Sequence, residues 1–92
     1  MSQVIYKYPL ELTTSNTLRL PFGAELLLVG LQGGVINVWA KVEDSEEEFE
    51  DHHIRIYGTG HLLSDSEKEY LGSVFQGGYV WHIYEEFGNG WV

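Results

Sequence analysis

The chain has no cysteine, only two prolines and no long apolar run, and these absences limit what it can be. Without disulfides, aliphatic and aromatic side chains must supply the stabilising core. The lack of cysteine is also compatible with a reducing cytoplasm, where we expect the protein. No apolar run approaches the roughly 20 residues of a membrane-spanning helix, so we expect no membrane partner. The 92 residues should form one domain, 1–92, and a homo-oligomer would bury further apolar surface.

Positive charge is also scarce, with five Lys and Arg against fourteen Asp and Glu and a net charge of −9. The basic residues are scattered, whereas contacts to nucleic-acid phosphates need clustered Lys and Arg, so duplex DNA or RNA is not an expected partner. Half of the acidic residues fall within 43–51, which we interpret as a solvated acidic loop. The alternative is that this loop mimics nucleic-acid charge and blocks a basic partner protein.

Helical periodicity is almost absent, and short alternating or apolar runs bounded by Gly, Pro and Asn take its place. They predict strands over residues 3–8, 18–20, 25–31, 35–42, 52–57, 69–75 and 79–86. Two Gln-Gly-Gly segments, at 32–34 and 76–78, predict hairpin turns. The expected fold is all-β and mainly antiparallel, a small sandwich or open barrel of six to seven short strands. One short helical turn near 64–69, capped by Ser64, could interrupt it, and the tail 88–92 should be loose.

The stretch from Arg55 to His61 (RIYGTGH) carries the densest functional chemistry. It follows a predicted strand and joins a guanidinium, a phenol, a hydroxyl and an imidazole to two glycines that free the backbone. Such a loop can hold an anion through backbone N–H groups. The predicted ligand-binding residues are Arg55, Thr59 and His61 for phosphate or ribose oxygens, Gly58 and Gly60 for backbone approach, and Tyr57, Trp39 or Trp81 for stacking. The simpler interpretation is a tight turn that needs two glycines.

Other common sites are not indicated. The loop lacks the three spaced glycines of a dinucleotide fingerprint and the Lys-Ser/Thr of a phosphate-binding Walker loop. His52 and His53 are adjacent on a strand and point to opposite faces, so we expect no metal and no cofactor. No nucleophile elbow or paired carboxylates appear, so no catalytic residue is predicted, although His61 with Asp65 or Glu67 could act as an acid–base pair in a small nucleotide hydrolase.

Four segments together resemble a family of small phage- and prophage-encoded proteins of unknown function. They are Val4–Leu10 (VIYKYPL), Val38–Ala40 (VWA), Arg55–His61 (RIYGTGH) and Val80–His82 (VWH). The resemblance spans nearly the whole chain, although the acidic run before His52 is longer than it leads us to expect. The family has no established activity, so no catalytic residue carries over.

The resemblance implies an accessory protein acting in the cytoplasm of a bacterial host cell. Small accessory phage proteins often counter host defence, either by sequestering a nucleotide immune signal or by binding a host protein. With the loop chemistry, the leading hypothesis is a protein that binds and sequesters a small anionic nucleotide-like signalling molecule without turnover. The alternatives are an acidic inhibitor of a host defence protein and a nucleotide hydrolase using His61.

Overall fold

Seven antiparallel strands make up the part of the chain that the structure describes, as the alternation of the sequence predicts. The computed structural model describes residues 2–87. The strands are β1 (Gln3–Pro9), β2 (Ser15–Pro21), β3 (Glu25–Gln32), β4 (Val35–Glu43), β5 (Phe49–Gly58), β6 (Glu67–Gln76) and β7 (Tyr79–Phe87). Nothing helical of membrane-crossing length and hydropathy occurs within the described range.

The strands form two sheets, a three-stranded sheet in the order β1-β4-β3 and a four-stranded sheet in the order β2-β5-β7-β6. The hairpins β3–β4 and β6–β7 turn at Gly33-Gly34 and Gly77-Gly78, as predicted. All four of these glycines have φ between 61° and 82°, which side chains with a Cβ rarely adopt. Two consecutive positive-φ residues define the turn whose twist matches antiparallel strands, and this explains the glycine pairs.

The core lies between the two sheets, because each strand alternates one apolar face with one polar face. Ile36, Val38, Ala40 and Val42 of β4 are all buried on the side that the sequence predicts. Across from them, the four-stranded sheet contributes a matching set: Ile54, Ile56, Val74 and Ile83.

Three local predictions are wrong. No helical turn forms near 64–69, because the Ser64 hydroxyl contacts Glu86 at 2.5 Å and β6 begins at Glu67. The acidic segment is not all loop, since only residues 44–48 connect β4 to β5. The second strand is longer than the predicted 18–20, because β2 runs from Ser15 to Pro21. The predicted loose tail, 88–92, lies outside the described residues.

Candidate functional site

The glycine-rich stretch after β5 is a tight turn. The N–H of His61 donates to the carbonyl of Gly58 at 3.0 Å, which makes Thr59 and Gly60 the two central residues. Gly60 has φ +92°, the value that the second central position of a type II turn requires. The simpler interpretation of this segment as a turn needing glycine is therefore confirmed for Gly60, and the turn fixes where its side chains point.

Gly58 serves a different purpose, which is to make room for the ring of His61. The N–H of Gly58 donates to Nδ1 of His61 at 3.1 Å, so the imidazole folds back over the end of β5. A Cβ added to Gly58 would lie 2.9 Å from Cε1 of His61, which is too close for a real side chain. One backbone N–H that the anion cradle was expected to offer therefore already has a partner inside the turn.

The turn forms one wall of an open depression of about 440 Å³, which we call the end cleft. Its lining comes from the 58–61 turn, the β6–β7 hairpin turn and the start of β7: Gly58, Thr59, His61, Gly78, Tyr79, Val80 and Trp81. A second depression of about 210 Å³ shares His61 and Trp81 with it and is closed by residues 12–14 and Ile56. His61 and Trp81 therefore stand between two adjoining hollows at one end of the fold.

Two aromatic rings give the end cleft its apolar surface. The ring centroids of Tyr79 and Trp81 are 5.6 Å apart with planes inclined by 40°. Tyr79 is 65% exposed, whereas Trp81 is half-buried against the core. The indole N–H of Trp81 is buried and has no acceptor among the described residues, which is uncommon because buried polar groups are nearly always hydrogen-bonded. The cleft thus has an available aromatic surface, and one of its two rings carries a buried donor that lacks a partner among the described residues.

Thr59 is oriented by a chain of contacts that the sequence did not reveal. Its Oγ1 lies 2.9 Å from Nε2 of His82, and Nδ1 of His82 lies 2.8 Å from Oγ of Ser73. The hydroxyl of Tyr70 lies 2.6 Å from the same Ser73 oxygen. The chain crosses from β5 to β6 through β7, so it depends on strand order. The alternation of side chains along β7 places His82 on the polar face, but it does not predict which residues of the neighbouring strands contact it.

Arg55 and Tyr57 share one face of β5, but they belong to a cluster separate from the end cleft. Tyr57 is only 3% exposed, and its hydroxyl donates to Oε2 of Glu86 at 2.5 Å. Nη1 of Arg55 lies 3.5 Å from Oε1 of Glu86, and the guanidinium sits 5.4 Å from the centroid of the Tyr57 ring. The stacking predicted for Tyr57 is not available in this arrangement, because its ring is covered and its hydroxyl is engaged.

Glu86 is the centre of that cluster and is itself 3% exposed. Burial alone would raise the pKa of its carboxyl group, but hydrogen bonds from Ser64 and Tyr57 and the charge of Arg55 together hold the pKa below its ordinary value. Lys68 closes the cluster by donating to the backbone oxygens of Ser64 and Ser66 at 2.6 and 2.5 Å. These contacts fasten the connection between β5 and β6 across the outer face of the four-stranded sheet.

Trp39 lies on the three-stranded sheet, so the structure does not bring it together with Arg55 and Tyr57 on the four-stranded sheet. It belongs to β4, between the buried Val38 and Ala40, so it occupies the outer face of the three-stranded sheet. Trp81 was predicted as an alternative stacking residue, and the structure does bring it to the turn. Of the eight predicted residues, the structure thus gathers Gly58, Thr59, Gly60, His61 and Trp81 at the end cleft and separates Arg55, Tyr57 and Trp39.

A second polar cluster surrounds His52, which sequence reasoning passed over except as an unsuitable metal ligand. Its Nδ1 lies 2.6 Å from Glu85 and its Nε2 lies 2.8 Å from Glu50. The hydrogen bond to Glu85 is the main reason that the pKa of His52 is raised; burial opposes this, and Glu50 adds to it. No group of three or more His, Cys, Asp or Glu within residues 2–87 is arranged to hold a metal ion.

The comparisons with known proteins give a family and no activity. A family model described as "Domain of unknown function (DUF7352)" matches residues 1–90, so the chain belongs to this family. No curated protein and no solved structure matches the chain. Any function must therefore be argued from the geometry of the chain itself.

Proposed function

We propose that this protein binds a small, planar, nucleotide-like molecule in the end cleft and does not turn it over. The observation that carries the proposal is the pairing of the Tyr79–Trp81 aromatic surface with polar groups of the 58–61 turn around one depression of about 440 Å³. Ligand sites are typically concave and mostly apolar, with a few fixed polar groups that set orientation. The end cleft has this composition.

Each side chain then has a distinct part in binding. Tyr79 and Trp81 stack on the flat part of the ligand, since aromatic side chains bury large area at little conformational cost. The Thr59 hydroxyl, oriented by His82, contacts ribose or phosphate oxygens. Nδ1 of His61 accepts from the N–H of Gly58, so its Nε2–H is the donor that remains for an oxygen of the ligand.

Binding without chemistry is favoured by the way His61 is held. Its Nδ1 accepts a hydrogen bond from the N–H of Gly58, whereas a catalytic His generally has that nitrogen paired with a carboxylate that stabilises the imidazolium. The resemblance to small phage proteins supplies the biological setting of the proposal. We place the protein among accessory proteins that sequester a nucleotide signal of host defence in the bacterial cytoplasm.

The test is calorimetry and thermal shift against cyclic dinucleotides, ADP-ribose derivatives and common mononucleotides. A ligand at 100 times its dissociation constant should stabilise the fold by about 2.7 kcal/mol. Thr59→Val should weaken binding about 5–10-fold, the effect of losing one hydrogen bond. Thr17→Val is the matched control, because Thr17 also contacts a His ring, at 3.4 Å, but does not line the cleft.

Two results would count against the proposal. One is that no compound of the panel binds at ~100 μM, a concentration at which even modest small-molecule sites are occupied. The other is that Thr59→Val and Thr17→Val bind equally well. The ligand should also return intact from the denatured complex, and recovery of a cleaved product would favour the hydrolase alternative instead.

The acidic inhibitor remains a second candidate because the 44–48 loop presents outward carboxylates in a defined arrangement. Oε1 of Glu46 accepts hydrogen bonds from the N–H groups of Glu47 and Glu48 at 3.1 and 3.0 Å, which leaves those two side chains exposed. Replacing Glu47 and Glu48 with Gln tests this without disturbing Glu46. If the protein acts through the end cleft, this variant should keep its ligand affinity and its biological effect. If it acts as a charge mimic, the variant should lose both its partner protein and its effect.

A further inference from the structure

Strand β1 is an edge strand that carries exposed apolar side chains, and no other strand of residues 2–87 pairs with its free side. It pairs only with β4 among the described residues, and it carries two of the large exposed apolar side chains, Ile5 at 59% and Tyr6 at 50%. Exposed apolar edges are unusual in soluble proteins, because unpaired backbone groups recruit further strands. The details of this edge show what it is suited to recruit.

The backbone of β1 offers three residues to a new neighbour. The N–H of Leu10 donates to Ile36 and the carbonyl of Ser2 accepts from Asp44, so even-numbered residues direct their backbone groups toward β4. Backbone groups alternate in direction along an antiparallel strand. Gln3, Ile5 and Lys7 therefore direct theirs toward the free edge.

Charged residues and proline usually prevent an edge strand from pairing, but in β1 neither blocks the free edge. Lys7 is the only charged residue of β1, and its Nζ donates to Oε1 of Gln32 at 2.8 Å, which draws the side chain across the sheet to β3. Pro9 lies at the end of the strand and leaves the N–H groups of Gln3, Ile5 and Lys7 in place.

We propose that two copies of this chain pair antiparallel through β1, about a twofold axis at Ile5, to form one six-stranded sheet. In this register Ile5 lies opposite Ile5 of the second copy, and Gln3 lies opposite Lys7 of the second copy. The three residues whose backbone groups point to the free edge then each exchange two backbone hydrogen bonds with the residue opposite in the second copy. On the core-facing side, the exposed ring of Tyr6 packs against Val4 of the second copy.

A second copy fits this edge better than an unrelated strand because the register is self-complementary. A twofold interface uses the same patch on both subunits. Here it buries Ile5 and Tyr6 of each copy, and it places no two side chains of like charge opposite each other. The fourteen acidic residues give the chain a net charge of −9, yet none of them lies within β1. Shifting the register so that Lys7 opposes itself would place two positive charges together, which destabilises a strand pair.

The first experiment measures the mass of the protein by sedimentation equilibrium over a range of concentrations. The expected result is a dimer. Ile5→Lys should raise the dissociation constant of the dimer about 100-fold, because it removes two apolar contacts and opposes two charges across the twofold axis. Leu28→Lys is the matched control, since Leu28 is also 59% exposed but lies on β3. It should leave the dimer intact.

The second experiment tests the register and does not depend on how Ile5→Lys folds. The chain has no cysteine, so Ile5→Cys introduces a single thiol. A hydrogen-bonded antiparallel pair has its Cα atoms about 5.5 Å apart, within the range of a disulfide. Ile5→Cys should therefore oxidise to a covalent dimer. Lys7→Cys should not, because the two thiols would be displaced by four residues, or about 13 Å along the strands.

Three results would overturn the proposal. One is that the wild-type chain sediments as a monomer at ~1 mM, which would mean that the free energy of association is weaker than about 4 kcal/mol. Ile5→Lys could remain as dimeric as Leu28→Lys. Lys7→Cys could cross-link as readily as Ile5→Cys, which would show that any contact between copies is not the paired edge described above.

Discussion

Replacing Tyr57 with Phe would remove one oxygen from the buried cluster on the outer face of the four-stranded sheet and leave the ring in place. That oxygen donates to Glu86 at 2.5 Å and accepts from the backbone N–H of Ser64 at 3.2 Å. The substitution therefore breaks a hydrogen bond to a charged, buried carboxylate and removes the acceptor of a backbone donor. Because Phe keeps the apolar packing, the loss measures the polar cluster alone.

The expected cost is about 2 kcal/mol, since hydrogen bonds to charged groups contribute about 1.5–3 kcal/mol and Glu86 keeps its contacts with Ser64 and Arg55. A domain of this size has a total stability of about 5–14 kcal/mol at about 0.05–0.15 kcal/mol per residue. The substitution should thus lower Tm by about 8–16 °C, at 4–8 °C per kcal/mol. Urea and thermal unfolding followed by tryptophan fluorescence would measure both quantities.

Tyr70→Phe is the control for this experiment. Tyr70 is 55% exposed, and within residues 2–87 its hydroxyl has one hydrogen-bond contact, the hydroxyl of Ser73 at 2.6 Å. An exposed neutral hydrogen bond competes with water, so its loss should cost less than about 0.5 kcal/mol. A Tyr57→Phe variant as stable as Tyr70→Phe would refute the view that the Glu86 cluster holds the β5–β6 connection.

The pH dependence gives an independent check on the same cluster. The pKa of Glu86 is lower in the folded chain than its ordinary value of 4.5, so its ionised form stabilises the fold. That contribution is complete above pH 4.5 and is lost as the pH falls through the lowered pKa. The stability difference between the wild-type chain and Tyr57→Phe should therefore shrink under acid conditions, and a constant difference would contradict the assignment.

Three other predictions concern groups whose geometry is equally specific. The hydrogen bond to Glu85 raises the pKa of His52 above its ordinary value of 6.5. The stability from this ion pair is therefore complete below pH 6.5 and is lost as the pH rises through the raised pKa. Urea unfolding between pH 5 and 9 should show this loss in the wild-type chain and not in His52→Gln. Gly60→Ala should cost about 1 kcal/mol in thermal unfolding, because φ +92° strains any residue with a Cβ even though nothing lies within 4 Å. Gly58→Ala should instead displace the His61 ring, visible as shifted imidazole NMR signals, and unchanged signals would contradict the packing described for the turn.

The sequence predicted the seven strands because their cause is local. Alternation with a period of two fixes which residues of β4 face the core, and paired glycines fix two hairpins, whatever the rest of the chain does. The same reasoning failed at residues 64–69, where a capping Ser and nearby acids resemble a helix start. There Ser64 instead meets Glu86, 22 residues away in sequence, and this contact holds the segment extended.

Only part of the candidate site could be predicted from the sequence. Gly58, Thr59, Gly60 and His61 are neighbours along the chain, so their association was visible, and the need for glycine at a turn is a local property. The meeting of His61 with Trp81 depends on β7 lying next to β5, which no local pattern states. The division of the strands between two sheets likewise decided where Trp39 lies, and alternation contains no information about which sheet a strand joins.

The sequence by itself thus determined an antiparallel β protein, its buried faces, and a glycine-containing turn after the fifth strand. These follow from backbone sterics and side-chain alternation, which act over a few residues. Tertiary structure alone decided that the turn borders an aromatic cleft, that Arg55 and Tyr57 serve a buried carboxylate instead, and that β1 is left at an edge. Those outcomes depend on strand order, which is set by burial of the whole core, because the free energy of packing is shared among strands distant in sequence.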